Sequence, residues 1–171
     1  MPTKFVKNEE LYKEVIEPVS KAKRFVWIGT ADIKDLHVKR RGKVISFLSV
    51  LNELVKRGVE VRLLHAKEPG ANFRSSFDKY PGLWDAMERQ LCPRVHFKHI
   101  IIDGEYAYTG SANLTGAGLG MKSPDRRNFE AGIVTSDTEL IENVMNQFDE
   151  VWMGKFCKTC GRREYCSDPI V

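Results

Sequence analysis

The sequence lacks any long hydrophobic run. No apolar stretch among its 171 residues approaches the ~18 residues that a membrane-spanning helix needs. The first ten residues are polar and charged, without the apolar segment and small-residue cleavage site of a secretory signal. We therefore expect a cytoplasmic protein with no membrane partner. Internal repeats, low-complexity tracts and domain linkers are lacking too, which predicts one domain with a sizeable core.

Cysteine is also scarce, with four residues in the chain and none before position 92. In a reducing cytoplasm, so few thiols favour metal ligands over a disulfide framework. Three of them lie near the end of the chain with the spacing C-x2-C-x5-C, and the fourth stands alone upstream. We predict that they hold one structural metal centre. The four predicted ligands are Cys92, Cys157, Cys160 and Cys166.

The identity of this metal stays open between Zn2+ and a [4Fe–4S] cluster. Structural zinc is the commoner centre, but zinc sites usually combine two C-x2-C knuckles and this chain has one. A distant upstream cysteine followed by C-x2-C-x5-C is similar to the iron–sulfur site of some helicase-linked nucleases. The cysteines also predict how the chain is organised, with a main domain over residues 1–154 and a cysteine-rich tail over 155–171 packed on it.

Acidic residues are outnumbered by basic ones, 23 to 27, so the formal net charge is +4. A mildly basic chain favours a phosphate-bearing partner. Two clusters of basic residues lie in stretches whose composition indicates loops. Such clusters can follow a phosphate backbone, and they can equally be ordinary solvated charge. The candidate substrate-binding residues are Lys39, Arg40, Arg41, Arg126 and Arg127.

Hydrophobic periodicity predicts alternating helices and strands, followed by a hairpin. The predicted helices cover residues 8–22, 44–57, 83–91 and 137–152. The predicted strands cover residues 24–30, 59–65, 94–103, 106–110 and 129–136. Residues 34–43, 69–81 and 114–128 are predicted to be irregular, the last of them a mobile loop. This order indicates an α/β fold in which helices flank both faces of a mixed β-sheet.

Particular residues are expected to mark where these elements begin and end. Asn8 and Asp137 are candidate N-caps, and Gly58 fits the end of the second helix. Pro18 lies inside the first helix and is expected to kink or shorten it. Asp103 and the glycine after it are typical of a hairpin turn, which predicts that the flanking strands pair.

Residues 96–113 form the pattern H-x-K-x4-D-x6-G-S-x-N. At roughly one chance in twenty per position, six specified residues arise at a given start with a probability on the order of 10⁻⁸. His96 and Lys98 lie two apart in a predicted strand, so they share a face. The same spacing places Ser111 and Asn113 together in an extended segment. The predicted hairpin then brings the second pair of side chains near the first.

The types of these residues suit the cleavage of a phosphodiester. That reaction needs a nucleophile, a positive charge for the phosphate oxygens and an acid for the leaving group. A neutral imidazole at His96 can attack phosphorus, and Lys98 can supply the positive charge. Ser111 and Asn113 offer neutral hydrogen-bond donors to the non-bridging oxygens.

This pattern resembles the signature of the phospholipase D superfamily, with every defining position filled. The resemblance implies a phospholipase D-like fold over residues 1–154. It also implies a phosphodiesterase that acts through a covalent phosphohistidine and needs no metal or other cofactor for catalysis. The catalytic residues that it implies are His96, Lys98, Asp103, Ser111, Asn113 and Glu130.

Two of these roles are open to interpretation. An N-x-E sequence follows the motif in many members of the superfamily, and here it is Asn128 to Glu130. The resemblance therefore implies that Glu130 fixes the tautomer of His96 and stabilises its charged form. Asp103 either orients a histidine or caps the hairpin through its side chain, and we prefer the structural role.

The chain carries one copy of the motif, whereas the implied reaction uses two histidines, one to attack and one to protonate the leaving group. A dimer with C2 symmetry brings together two identical patches. We therefore expect a homodimer in which each protomer contributes one His96. Small bacterial endonucleases and Zucchini-type nucleases are similar single-motif proteins, which favours a nucleic acid substrate, DNA or RNA. Phospholipid cleavage or phosphatidyl transfer, and nucleic acid binding without turnover, are the alternatives.

Overall fold

The computed structural model describes residues 2–170; Met1 and Val171, the end residues of the predicted domain and tail, lie outside the described residues. Seven of its nine strands form one mixed sheet in the order β1-β9-β8-β7-β2-β5-β6, and β3 pairs with β4 in a separate ribbon. The strands are β1 Thr3–Lys7, β2 Phe25–Thr30, β3 His37–Arg40, β4 Lys43–Ser46, β5 Glu60–His65, β6 Met87–Leu91, β7 Lys98–Ile102, β8 Tyr106–Gly110 and β9 Ala131–Thr135.

Strand β5 runs parallel to both β2 and β6, and the remaining pairs of the sheet are antiparallel. The helices are α1 Glu17–Val19, α2 Phe47–Lys56, α3 Ala71–Phe77, α4 Pro81–Ala86 and α5 Thr138–Trp152. A π-helical turn over Tyr12–Ile16 leads directly into α1. None of these described helices has both the length and the apolar character that crossing a membrane requires.

Helices cover both faces of the sheet, as the sequence predicts. Ile100 and Ile102 of β7 pack into the larger core, to which α1 and α2 contribute. Ile101, between them, packs into a second core beneath Ile141 and Phe148 of α5. Because successive side chains of a strand point to opposite faces, β7 is buried on both sides. This confirms the predicted α/β fold and places the motif-bearing strand at the centre of the molecule.

Several predicted boundaries are confirmed. The Asp137 carboxylate accepts a hydrogen bond of 3.0 Å from the amide of Leu140 and so caps α5. Gly58 follows the end of α2 with φ +82°, a conformation that glycine adopts without strain. Asp103 and Gly104 have φ +57° and +68° and form the tight turn between β7 and β8.

Other predictions about secondary structure are wrong. Residues 34–43 contain most of the ribbon instead of a loop, and Val38 is buried in the core while the basic side chains alternate around it. Residues 69–81 contain α3, which buries Phe73 and Phe77 one helical turn apart. Residues 83–91 divide into the end of α4 and strand β6, because pairing with β5 at the sheet edge outweighs local helix propensity.

The first helix and the long loop also differ from expectation. Asn8 has φ +49° and its side chain accepts from the amide of Glu130, so it is not an N-cap. The helix is shortened, and a π-helical turn precedes Pro18, consistent with the expected disturbance. Residues 114–128 form no regular helix or strand. Leu114 and Leu119 are nevertheless buried, so the first part of this loop is packed into the core.

Candidate active site

The hairpin of β7 and β8 brings the two halves of the motif together. Lys98, the first residue of β7, is paired in register with Gly110, the last residue of β8. His96 therefore lies just before one strand, and Ser111 and Asn113 just after the other, at the same end of the sheet. This is the juxtaposition that the sequence predicts.

His96 and Lys98 differ sharply in exposure. The side chain of His96 is exposed to solvent, whereas Lys98 has a relative exposure of 7%. The Lys98 ammonium donates a hydrogen bond of 2.6 Å to the carbonyl oxygen of His96. Burial lowers the pKa of Lys98, and the nearby carboxylate of Glu130 acts in the opposite direction. A partly desolvated ammonium beside an exposed imidazole suits the binding of an anion at this position.

Ser111 links the motif to the strand that follows it. Its hydroxyl donates to a carboxylate oxygen of Glu130 and accepts a hydrogen bond of 3.1 Å from the amide of Ala131. The side-chain amide of Asn128 donates to the other oxygen of Glu130 at 3.1 Å. Sequence reasoning expected Glu130 near His96; in the described residues its carboxylate instead has Ser111 and Asn128 as its hydrogen-bond partners.

Asn113 is fixed by the backbone that follows β2. Its side-chain oxygen accepts hydrogen bonds of 3.1 Å from the amides of both Ala31 and Asp32. The Thr30 hydroxyl in turn accepts a hydrogen bond of 3.0 Å from the amide of Leu114. With its oxygen used in this way, Asn113 retains its NH2 group as a donor of fixed orientation.

Gly110 permits the close approach of strands β8 and β9 at this site. A Cβ at this position would collide with the Tyr108 hydroxyl and with the backbone of Ala131 and Gly132. The buried Tyr108 hydroxyl accepts a hydrogen bond of 3.1 Å from the amide of Ala112, and burial raises the pKa of Tyr108 to about 12. The neutral phenol thus helps to set the turn that carries Ser111.

Asp103 lies at the opposite end of β7 from His96. Its carboxylate accepts hydrogen bonds from the amides of Lys23, Arg24 and Phe25, at 2.9, 2.7 and 3.0 Å. Burial acts to raise the pKa of Asp103, but these hydrogen bonds outweigh it and hold the pKa below its usual value. The placement of this carboxylate favours the structural role over contact with a substrate.

Two of the remaining histidines are buried in the fold. A ring nitrogen of His99 lies 2.8 Å from the side-chain oxygen of Gln147 on α5, and the ring stacks on Phe97. His65 lies at the end of β5, with a ring nitrogen 2.8 Å from the carbonyl oxygen of Lys67. Burial lowers the pKa of both imidazoles, which keeps them neutral at pH 7.

The five basic residues predicted to bind substrate are not gathered in one place. Arg40 pairs with Glu53 at 2.5 Å, and Arg127 pairs with Glu9 at 3.0 Å. Arg41 borders a small surface pocket beside Arg40, and Arg126 is exposed in the loop before β9. Lys39 lines the same pocket as Arg40 and Arg41, and it also lines a second groove of about 790 Å3.

This groove adjoins the site and contains two lysines that sequence reasoning missed, Lys34 and Lys122. The amide of Lys34 donates a hydrogen bond of 3.0 Å to the carbonyl oxygen of Leu114, directly after Asn113. The groove also has apolar lining, including Phe73. Composition alone gave little signal for these lysines, because they come together only when the ribbon, α3 and the long loop are packed.

The predicted metal ligands meet at one cavity but are not arranged around a metal. All four cysteines line a cavity of about 280 Å3 between the tail, α5 and the segment before His96. Over residues 2–170, no three cysteine, histidine or acidic side chains are close enough together to hold a metal ion. The predicted structural metal centre is therefore not supported, although all four cysteines line one cavity.

Comparison with known proteins agrees with the geometry. The family model described as "Cardiolipin synthase, PLD-like domain" matches residues 15–152. A "Mitochondrial cardiolipin hydrolase" from Chlamydomonas reinhardtii is 31% identical over 104 residues, which make up 60% of this chain and 44% of that relative. The chain thus spans less than half the length of this curated relative.

Two solved structures share the fold. NucT from Helicobacter pylori has a TM-score of 0.62 at 18% identity, over 86% of this chain and 94% of its own. Nuc from Salmonella typhimurium, a phospholipase D family member, has a TM-score of 0.64 at 17% identity, over 88% and 93% of the two chains. The match of the family model over most of the chain shows that the protein belongs to the phospholipase D superfamily.

Proposed function

We propose that this protein is a metal-independent phosphodiesterase that cleaves nucleic acid through a covalent phosphohistidine, in a site shared by two protomers. The observation that carries the proposal is the placement of His96, Lys98, Ser111 and Asn113 at one end of the β7–β8 hairpin. An exposed imidazole lies there beside a buried ammonium and the Asn113 side-chain NH2 group, which can donate a hydrogen bond to a phosphate.

The chemistry follows from the roles of these groups. The neutral imidazole of His96 attacks phosphorus, a P–N bond forms, and the P–O bond to the leaving alcohol breaks. An imidazolium gives its proton to the leaving oxygen. The imidazole that has given up its proton then deprotonates a water molecule. This water attacks phosphorus and breaks the P–N bond, which restores both histidines to their starting protonation states. Lys98 and the Asn113 amide stabilise the negative charge on the phosphoryl oxygens throughout.

The second imidazole has to come from a second copy of the chain. His65 and His99 are buried, and His37 belongs to the ribbon, where it lines the groove and not the hairpin end that carries His96. The exposure of His96 leaves it accessible to a facing protomer. An isologous contact about a two-fold axis would place two copies of His96 across one phosphate.

The groove beside Asn113 supports an extended anionic substrate. Lys34, Lys39 and Lys122 line it, and its volume of about 790 Å3 exceeds what a single phosphate group needs. Lysines along a groove can follow a phosphate backbone without reading its sequence. We propose that a nucleic acid strand enters here and leads its phosphate to the hairpin.

A phospholipid is the second candidate substrate. The similarity to a cardiolipin hydrolase and the apolar side chains in the groove, among them Val44 and Met121, favour it. A lipid headgroup offers the same phosphodiester to His96. The two candidates differ in the part of the substrate that occupies the groove.

A cleavage assay in EDTA tests the proposal. Single- and double-stranded DNA, RNA, cardiolipin vesicles and bis-p-nitrophenyl phosphate are the substrates, with wild type and His96→Ala compared. We expect cleavage of nucleic acid to survive EDTA and to fall by about 10⁴-fold in the variant. Loss of activity in EDTA, or equal activity of the two proteins, contradicts the mechanism. Cleavage of cardiolipin alone would identify a phospholipid as the substrate and leave the mechanism at His96 unchanged.

Mixed dimers test the shared site. Wild type and His96→Ala are unfolded together and refolded at known ratios. If each site needs one His96 from each protomer, activity varies with the square of the wild-type fraction, because mixed dimers are inactive. Activity that varies linearly with this fraction contradicts the shared site, but it does not contradict the covalent phosphohistidine intermediate.

Replacement of the groove lysines separates binding from chemistry. We expect Lys122→Ala to raise the KM for nucleic acid by about fivefold at low salt and to leave turnover of bis-p-nitrophenyl phosphate unchanged. Lys56→Ala, an exposed lysine at the end of α2, is the control. Equal effects of the two variants on KM would show that the groove does not bind the nucleic acid.

A further inference from the structure

We propose that the four cysteines close around a thiolate-bound metal and so form a structural centre that fastens the C-terminal tail to the catalytic domain. The inference is independent of the substrate and of the chemistry at His96. It rests on where the thiols lie and on how little else holds the tail.

The tail has almost no apolar contact with the domain. None of the described residues between Lys155 and Ile170 is buried. The side chains in this stretch that are partly shielded from solvent are those of Cys157, Cys160, Cys166 and Pro169. A segment that shields only its cysteines and one proline in part, and exposes its aromatic and charged residues, gains little from the hydrophobic effect. Small segments of this kind usually depend on a metal or a disulfide.

The backbone brings the thiols into two pairs. Cys92 follows β6, and its amide donates a hydrogen bond of 2.9 Å to the carbonyl oxygen of His65. Cys166 lies beside it, with its sulfur 4.0 Å from the carbonyl oxygen of Leu91. The amide of Leu91 also donates to the Asp168 carboxylate at 3.2 Å, which holds this part of the tail at the sheet edge.

The second pair is the C-x2-C turn. The amide of Cys160 donates a hydrogen bond of 3.3 Å to the carbonyl oxygen of Cys157, which closes the turn. All four cysteines line one cavity of about 280 Å3, and they belong to two short segments in which none of the four side chains is buried. Segments of this kind can shift to shorten the distances between sulfurs, which the arrangement over residues 2–170 does not yet bring to ligand spacing.

The surroundings of the cavity carry positive charge. Arg94, Arg162 and Arg163 line it, and the guanidinium of Arg94 lies 3.7 Å from the sulfur of Cys160. Several thiolates in one cavity repel each other unless a cation joins them. Thiolates select soft metals, which limits the centre to Zn2+ or an iron–sulfur cluster.

Metal analysis of the full chain, purified under reducing and anaerobic conditions, tests the proposal. We expect about one zinc atom, or about four iron atoms with sulfide, per wild-type chain. We expect Cys92→Ser to lose the metal to background, since it removes the ligand contributed by the domain. Thr159→Ala changes an exposed residue between two ligands and should keep full metal content.

A second measurement uses wild type only, in case a cysteine variant fails to fold. After chelation, trypsin should cleave at Lys158, Arg162 and Arg163 about tenfold faster than before, and added Zn2+ should reverse this. Cobalt added to the metal-free protein should give the absorption bands of a tetrahedral thiolate site.

Three outcomes would overturn the proposal. The first is wild-type protein that contains no metal and binds neither Zn2+ nor Co2+ after chelation. The second is equal metal content in wild type and Cys92→Ser, which would place the metal elsewhere. The third is mass spectrometry that finds the four cysteines joined in disulfides, which would assign the fastening of the tail to covalent bonds.

Discussion

The motif strands and the cysteine tail are held in place by different means. Every residue of β7 is buried, and the strand is hydrogen-bonded to β2 on one side and β8 on the other. The tail from Lys155 to Ile170 buries no side chain. Packing and hydrogen bonds together position the candidate catalytic groups, whereas the tail lies against the edge strand β6 through a few polar contacts. The order of the hairpin end thus rests on the core, and the tail has no such support.

Substitution of one glycine in each region should give the largest difference in stability between the motif strands and the tail. Gly110→Ala should destabilise the protein by about 3 kcal/mol, because the added Cβ meets the Tyr108 hydroxyl and the backbone of β9. Gly161→Ala, in the tail, has open space around it and should change stability by less than about 0.5 kcal/mol. Urea denaturation of both variants measures the difference. Similar stability of the two variants would show that the motif region tolerates an added Cβ as well as the tail does.

Asp103→Asn sharpens the comparison within the hairpin. The variant weakens hydrogen bonds to three backbone amides and should lose about 1–3 kcal/mol of stability at pH 7. It should keep kcat within about threefold of wild type, because Asp103 lies at the end of β7 away from His96. A loss of activity comparable to that of His96→Ala, with unchanged stability, would assign Asp103 to catalysis.

The difference in stability between wild type and Asp103→Asn should depend on pH. The pKa of Asp103 lies below its usual value, so its contribution to stability is present above that usual value and is lost as pH falls through the lowered pKa. The difference in unfolding free energy between wild type and Asp103→Asn should therefore shrink below about pH 4. A difference that stays constant between pH 7 and pH 3 would contradict the charged role of this carboxylate.

Mild acid should have a smaller effect, confined to the domain. Burial lowers the pKa of His65 and His99, so the unfolded chain binds protons that the folded chain does not. Stability should fall as pH drops below about 6.5, by at most about 1.4 kcal/mol per pH unit for each histidine. Urea denaturation at pH 7.5, 6.5 and 5.5 measures the slope, and His99→Gln should reduce it. An unchanged slope in that variant would exclude His99 as a source.

Local sequence determines the hairpin and several element ends, which is why these were predictable. The run of apolar residues in β7, the Asp103–Gly104 turn and the Asp137 cap each act within a few residues. The spacing of the motif also places His96 and Asn113 at one end of the sheet without any further information. These features need only the alternation of a strand and the geometry of a tight turn.

The parts that were missed depend on distant partners. Strand β6 forms because β5 offers an edge to pair with, although the same residues suit a helix. Val38 is the buried residue of β3, but its sequence neighbours are basic, so the alternation of apolar and polar residues was too weak to predict a strand. The hydrogen bond between Ser111 and Glu130 joins residues that are separated by the long loop, and the sequence gives no distance across it.

The pairing of β1 with β9 has a consequence for how the protein is made. Thr3 to Lys7 lie beside Thr135 to Ala131, so β1 can complete this pairing only after β9 has been synthesised. Glu130 immediately precedes β9, and the Asn8 side chain, just after β1, accepts a hydrogen bond from the Glu130 amide. The site at Ser111 is therefore completed only when synthesis has passed β9. A chain that is interrupted before Glu130 carries His96 and Lys98 but lacks the carboxylate and strand β9, so Ser111 has neither of its side-chain hydrogen-bond partners at Glu130 and Ala131.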